Sequence, residues 1–193
     1  GTAFWESGFK QITSNNEIQS PADLEGLQFR TMESQLLIDT YQAMGANAVA
    51  IPFPEVYTAL QQGVVDGHEN PLSTITSMKF YEVQDYVTIA NISYLAYGVI
   101  FNKDWFDSLP EDLQDVLVTA SREAAQFERQ AVIDAEKGFL AEIEESGTTV
   151  NELTPDQLAE FQEVTRPVHD QYKEVFGEEL MEKTYQFIED IEQ

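Results

Sequence analysis

One short segment combines three residues of the types that bind metal ions or transfer protons. Asp66, His68 and Glu69 offer two carboxylates and one imidazole within four positions. Carboxylates suit hard cations and imidazole suits zinc, so a metal-assisted hydrolase is one hypothesis for this segment. The spacing is not a known metal signature, and an open alternative is a turn at Asp66 that leaves Glu69 and Asn70 to line a pocket. We expect neither a bound metal nor a cofactor.

The remainder of the chain offers little for enzyme chemistry. It contains one further histidine, His169, and no cysteine, so nucleophilic catalysis has almost no candidates. It also lacks the GxGxxG and Walker patterns, and nucleotide binding is therefore not supported. We expect a protein that is not an enzyme.

Basic residues are scarce, since 10 Lys and Arg stand against 35 Asp and Glu, for a net charge of -25. A nucleic-acid backbone or an anionic membrane surface would repel such a chain, so neither is an expected partner. A basic residue at the end of a strand would instead attract a small anion. Arg30 and Lys10 are the candidates, because a guanidinium matches a carboxylate bidentately and an ammonium acts as a point charge. A structural ion pair is the alternative for Arg30.

The elements that position these residues alternate between strand and helix patterns over residues 27–81. The patterns predict strands at 27–31 and 49–53 and a third short strand that starts at Val64 and Val65, and they predict helices at 34–44, from 54 to 63 and at 71–81. This order is typical of an open parallel α/β sheet, whose ligands bind beyond the carboxyl ends of the strands. Phe53 and Asn70 would end strands near Arg30 and join it around a small organic anion. Core packing is the alternative for Phe53.

The second half of the chain is dominated by helix patterns. Strands are predicted at 86–90, 93–102 and 148–151, and the proline-free run 111–145 predicts a helix of about 50 Å that bridges two bodies. Thr154 with Gln157 resembles a capping box, and helices follow to the end with breaks near Pro167 and Gly177. No stretch approaches the roughly 20 apolar residues of a membrane span, so we expect no direct membrane insertion.

Several blocks together resemble a known family, the DctP-like solute-binding proteins of TRAP transporters. The blocks are GLQFRTMES at 26–34, MGAN at 44–47, PFPEVYTALQQGVVDGHENP at 52–71, FNKDWF at 101–106 and LPEDLQ at 109–114. The resemblance covers nearly the whole chain. It implies an α/β, periplasmic-binding-protein-like fold with an open mixed sheet flanked by helices. In this fold two α/β lobes close on an organic acid, and one long helix crosses both lobes.

The resemblance also implies roles for individual residues. Arg30 matches the arginine that pairs with the ligand carboxylate, Phe53 a pocket aromatic and Asn70 a pocket amide. Lys10 stands where several members have a second ligand-contacting arginine, and His68 stands where the family often has glutamine. With Glu69 these residues make the predicted ligand-binding set.

Family members carry a long further segment before the part that resembles residues 4–15, so the resemblance implies a partial chain that lacks most of the first lobe and the export signal. Residues 8–95 and 136–183 would then form the second lobe. Residues 96–135, a strand and the long helix, would belong to or bridge the absent lobe and expose apolar surface, and 184–193 would end the last helix.

The leading hypothesis is therefore a periplasmic or extracytoplasmic binding protein for a C4-dicarboxylate or sugar acid. Arg30 would form the salt bridge, and the loaded protein would deliver its ligand to the membrane subunits of a TRAP permease. The acidity has two open explanations, adaptation to high salt and ordinary surface solubility.

Overall fold

The computed structural model describes residues 1–191, and within these it contains six strands and eight α-helices. The strands are β1 (Ala3–Ser14), β2 (Gln28–Thr31), β3 (Asn47–Ala50), β4 (Gly67–Pro71), β5 (Tyr86–Val99) and β6 (Thr149–Glu152). The helices are α1 (Gln35–Ala43), α2 (Val56–Gln61), α3 (Leu72–Ser77), α4 (Lys103–Asp107), α5 (Glu111–Glu145), α6 (Pro155–Gln171), α7 (Lys173–Phe176) and α8 (Glu178–Ile191). Residues 192 and 193, the end of the predicted segment 184–193, lie outside the described residues.

The chain forms two compact units, each assembled from two stretches of sequence. The first unit consists of residues 1–17 and 67–152, and the second consists of 18–66 with the described residues from 153 onward. The assignment of residues 8–95 and 136–183 to one lobe, and of residues 96–135 to the other lobe or to the bridge between them, stays a prediction.

The first unit contains a mixed sheet in the order β4-β1-β5-β6. Strand β1 is antiparallel to both β4 and β5, whereas β6 is parallel to β5. Helices α3 and α5 pack against β1. The fully buried side chains Ile12, Ile75, Phe80, Val87 and Ile143 form the apolar core of this unit. The predicted α/β class with a mixed sheet flanked by helices is confirmed.

The second unit contains the parallel pair β2 and β3, with α1 packed against both strands and α6 packed against α1. The rings of Phe29 and Tyr41 stack with their centroids 4.2 Å apart, and both side chains are fully buried. The 3-10 helix Pro21–Leu24 adds the buried Leu24, and α6 adds Phe161. This core fixes the carboxyl ends of β2 and β3, where Arg30 lies.

Helix α5 is 35 residues long, as the proline-free run predicts, and it starts directly after Pro110. Among its residues only Ala125 and Ile143 are buried. Phe127 is 78% exposed and Val116 is 61% exposed, so the expected apolar surface on this helix is present. No helix among the described residues has both the length and the apolar character that a membrane crossing requires.

Several predicted boundaries differ from those in the structure. The strand predicted to start at Val64 begins instead at Gly67, because the Val64 N–H donates to the Ala59 carbonyl at the end of α2. Strand β3 ends at Ala50, and Phe53 opens the 3-10 helix Phe53–Glu55. Helix α6 continues through Pro167 and ends at Gln171. The proline removes one main-chain hydrogen bond of the helix, and this loss does not end it.

Candidate functional site

A buried ion pair lies across β1 and β4 of the first unit. Lys10 Nζ donates to Glu69 Oε1 at 2.5 Å, and the two side chains are 5% and 2% exposed. The hydroxyl of Ser93 on β5 donates to the second carboxylate oxygen of Glu69 at 3.1 Å. These three residues, here called the Lys10 cluster, span three neighbouring strands, because Lys10 pairs with Ser93 in the β1–β5 register.

Asn70 and His68 form a second contact on β4. The amide nitrogen of Asn70 lies 3.0 Å from His68 Nδ1. The imidazole also meets the ring of Phe80 edge-on, with centroids 4.5 Å apart. Successive residues of a strand face opposite sides, so Asn70 and His68 lie on one face of β4 and Glu69 lies on the other. The structure therefore brings the four predicted residues of this unit together as two separate pairs.

Arg30 lies at the carboxyl end of β2 in the second unit and is only 4% exposed. Its Nε and Nη2 donate to the backbone carbonyl of Ile51 at 2.9 and 2.8 Å. Because Arg30 pairs with Val49 in the parallel register, this carbonyl is the one just beyond the end of β3. Two hydrogen bonds from one edge of the fork to one oxygen fix the plane of the guanidinium.

Phe53 follows the same edge of the second unit, three positions after the end of β3. Its side chain is 41% exposed, which is more than a core aromatic shows. Arg30 and Phe53 therefore both belong to the carboxyl-end edge of β2 and β3, where open α/β sheets bind ligands.

Asp66 has a structural role in the second unit. Its carboxylate accepts the backbone N–H of Gln28 at 2.7 Å, and its own N–H donates to the Gln28 carbonyl at 2.7 Å. Within residues 1–191, no three His, Asp or Glu side chains are grouped so that they could hold a metal ion. The hydrolase hypothesis for Asp66, His68 and Glu69 is therefore not favoured.

The sequence patterns did not predict strand β1, and with it they missed Gln11, the buried polar residue that follows Lys10 in the chain. Gln11 is 2% exposed, and its Oε1 accepts the backbone N–H groups of Ala90 and Asn91, each at 3.0 Å. Its Nε2 donates to the Phe9 carbonyl at 3.2 Å and to Asn91 Oδ1 at 2.8 Å. A buried polar strand has no apolar alternation to detect, so only the position of Gln11 next to Lys10 could have drawn attention to it.

Tyr94, the residue after Ser93, is held in its protonated form. Burial raises the pKa of its phenol to about 12, and a hydrogen bond to the Glu6 carboxylate adds to the effect. Its ring meets Phe9 edge-on at 5.1 Å. At neutral pH this hydroxyl is a hydrogen-bonding group and not a general base.

The model of the family described as DctP, bacterial extracellular solute-binding protein, family 7, matches residues 1–175. The C4-dicarboxylate-binding periplasmic protein DctP of Rhodobacter capsulatus is 39% identical over 182 residues, which cover 94% of this chain and 55% of the relative. The chain thus spans about half the length of the curated relatives it matches.

Two solved structures show the same fold. A TRAP periplasmic solute binding protein from Shewanella oneidensis, with bound succinate, matches with a TM-score of 0.90 at 32% identity, over 94% of this chain and 60% of that one. The sugar acid binding protein DctPAm from Advenella mimigardefordensis, in complex with galactonate, matches with a TM-score of 0.89 at 36% identity, over 95% and 59%.

Proposed function

The chain belongs to the DctP family, family 7 of the bacterial extracellular solute-binding proteins, and on that premise we propose that it captures a small organic acid. Proteins of this family are transport solute-binding proteins and not enzymes, so the expected activity is binding without turnover. The proposed ligands are C4-dicarboxylates and sugar acids. Relatives named above for a C4-dicarboxylate, or solved with succinate and with galactonate, support these two classes.

Arg30 is the proposed partner of the ligand carboxylate, and its burial is the observation that carries this proposal. A cation that is 4% exposed, in a chain with a net charge of -25, is a rare attractive position for an anion. The two bonds to the Ile51 carbonyl orient the guanidinium before a ligand arrives. A planar fork with a fixed orientation suits a carboxylate, and low exposure strengthens the attraction between the two charges.

The other predicted residues would contribute to ligand binding to different degrees. The half-exposed ring of Phe53 would lie against the carbon skeleton of the ligand. Lys10 is balanced by Glu69, so its ammonium would add less attraction for a ligand anion than Arg30 does. Asn70 would offer an amide, and His68 close to a ligand would make affinity sensitive to pH.

We further propose that the ligand is handed to the membrane subunits of a TRAP permease and that the protein works in the periplasm or outside the cytoplasm. In this proposal residues 8–95 and 136–183 contribute one ligand-binding lobe. The bound ligand would be enclosed by lobe closure, which is the usual response of such receptors to their solutes.

A thermal-shift screen tests the ligand class. Succinate, fumarate, galactonate and glucuronate are added to the chain at low and at high salt, with Arg30→Ala and Arg122→Ala measured in parallel. Arg122 is an exposed residue of α5 and is not one of the proposed ligand contacts, so its replacement makes the same charge change without removing a proposed contact. Stabilisation of the wild type and of Arg122→Ala, but not of Arg30→Ala, is expected. Equal stabilisation of all three proteins would contradict the role of Arg30.

A further inference from the structure

The strand pairing next to the Lys10 cluster is interrupted by a bulge in β5. Ile12 pairs with Thr88, yet Lys10 pairs with Ser93, so residues 89–92 of β5 stand opposite the single residue Gln11. We refer to residues 89–92 as the β5 bulge. Within it Asn91 has a φ of 46°, in the left-handed region that residues with a side chain seldom adopt.

This bulge decides which residue faces Lys10. If the pairing of Ile12 with Thr88 continued without interruption, Ala90 would stand opposite Lys10. A methyl group cannot hold a carboxylate. The bulge places Ser93 there instead, and the Ser93 hydroxyl donates to Glu69 at 3.1 Å. The irregular pairing thus supplies the hydrogen bond that holds Glu69 against Lys10.

The Gln11 side chain satisfies the polar groups that the bulge leaves without strand partners. One oxygen, Oε1, accepts both the Ala90 and the Asn91 N–H, and Nε2 fixes the Asn91 side chain. Ala90 is 4% exposed, so water does not readily replace the lost strand bonds. The irregular pairing therefore depends on a glutamine at position 11.

We propose that Gln11 is a positioning residue for the proposed binding site: it holds the β5 bulge and so sets Ser93 on Glu69 and Glu69 on Lys10. The inference rests on the proposed function for its link to ligand affinity. Its structural part, that the bulge requires Gln11, stands on contacts within one compact unit.

Gln11→Met tests the proposal, because methionine has a similar length but neither accepts nor donates the bonds of the bulge. Residue-resolved amide exchange of the 193-residue chain should be at least about ten-fold faster at Ala90 and Asn91, and unchanged at Val150. Asn91→Gly is the matched variant, since it keeps both N–H groups and tolerates the positive φ. Its exchange at position 90 should stay within about two-fold of the wild type.

Two further variants separate positioning from general loss of stability. Val87→Ala removes buried methyl groups from the same strand without changing Gln11. The amide of Ala90 in this variant should exchange no faster than global unfolding of the variant allows. Gln11→Asn keeps an accepting oxygen and a donating amide on a side chain one methylene shorter, and it provides the test if Gln11→Met fails to fold: exchange should rise more at Ala90 and Asn91 than at Val150. Unchanged exchange in Gln11→Met, or an equal rise at Ala90 and Val150 in Gln11→Asn, would overturn the proposal.

Succinate affinity gives the functional arm. If Gln11 acts through Ser93, Gln11→Met should weaken succinate binding in the wild-type background and have no further effect in Ser93→Ala. Additive losses would overturn the positioning role. If the wild-type chain binds neither succinate nor galactonate, the proposed function fails, whereas the exchange measurements still decide whether Gln11 holds the bulge.

Discussion

Replacing Lys10 by methionine should be one of the most destabilising single changes in the first unit. The side chains of Lys10 and Glu69 are 5% and 2% exposed and only 2.5 Å apart, so the change leaves a carboxylate buried without its cation. Removal of one partner from a buried ion pair costs about 3–5 kcal/mol. For a chain of this length, that loss corresponds to a fall in Tm on the order of 10 °C.

Urea unfolding followed by circular dichroism measures this loss of stability, and two further variants serve as controls. Lys10→Met with Glu69→Leu replaces the pair by apolar groups of similar volume and should recover most of the stability. Lys103→Met breaks the pair with Asp107, whose side chains are 83% and 54% exposed, and should cost at most about 1 kcal/mol. A cost for Lys10→Met as small as that for Lys103→Met would show that burial does not make the Lys10–Glu69 pair costly to break.

Three further predictions concern the second unit. Burial and the nearby Arg166 lower the pKa of His169, so the unfolded state binds the proton more readily. Unfolding free energy should therefore fall more steeply from pH 7.5 to 5.5 in the wild type than in His169→Gln, and parallel curves would contradict this. Thr154→Ala removes the N-terminal cap of α6 and should lower the free energy of unfolding in urea by about 1 kcal/mol. An unchanged free energy of unfolding would contradict a stabilising role for this cap. Phe161 is 2% exposed, and Phe161→Ala should lower the free energy of unfolding by about 3–5 kcal/mol. Phe127 of the first unit is 78% exposed, and Phe127→Ala should lower it by almost nothing.

The parts of the fold that the sequence predicts well are those with local signals. The proline-free run after Pro110 predicts α5, and Thr154 with Gln157 predicts the start of α6, because a capping box satisfies its donors within four residues. The alternation at 27–31 predicts β2, since one face of that strand is apolar. Each of these signals lies within the segment that it organises.

The parts that the sequence does not predict depend on contacts between distant segments. β1 carries buried polar residues, and hydropathy patterns cannot tell such a strand from a loop. β4 is equally polar, and for the same reason its start at Gly67 is not predicted. The partner of Lys10 lies 59 positions away, and the bonds of Gln11 to β5 join positions about 80 apart. For that reason Arg30 and Lys10 could be selected by charge, whereas the roles of Ser93 and Gln11 required the strand register.

A calorimetric titration of the chain with succinate and with galactonate, in parallel with Arg30→Ala and Arg122→Ala, measures the contribution of Arg30 to ligand binding. Saturable binding of at least one acid is expected. Arg30→Ala should lose about 2–5 kcal/mol of binding free energy, and Arg122→Ala should lose almost none. Binding of equal strength by Arg30→Ala and the wild type would contradict the claim that a buried guanidinium recognises the carboxylate.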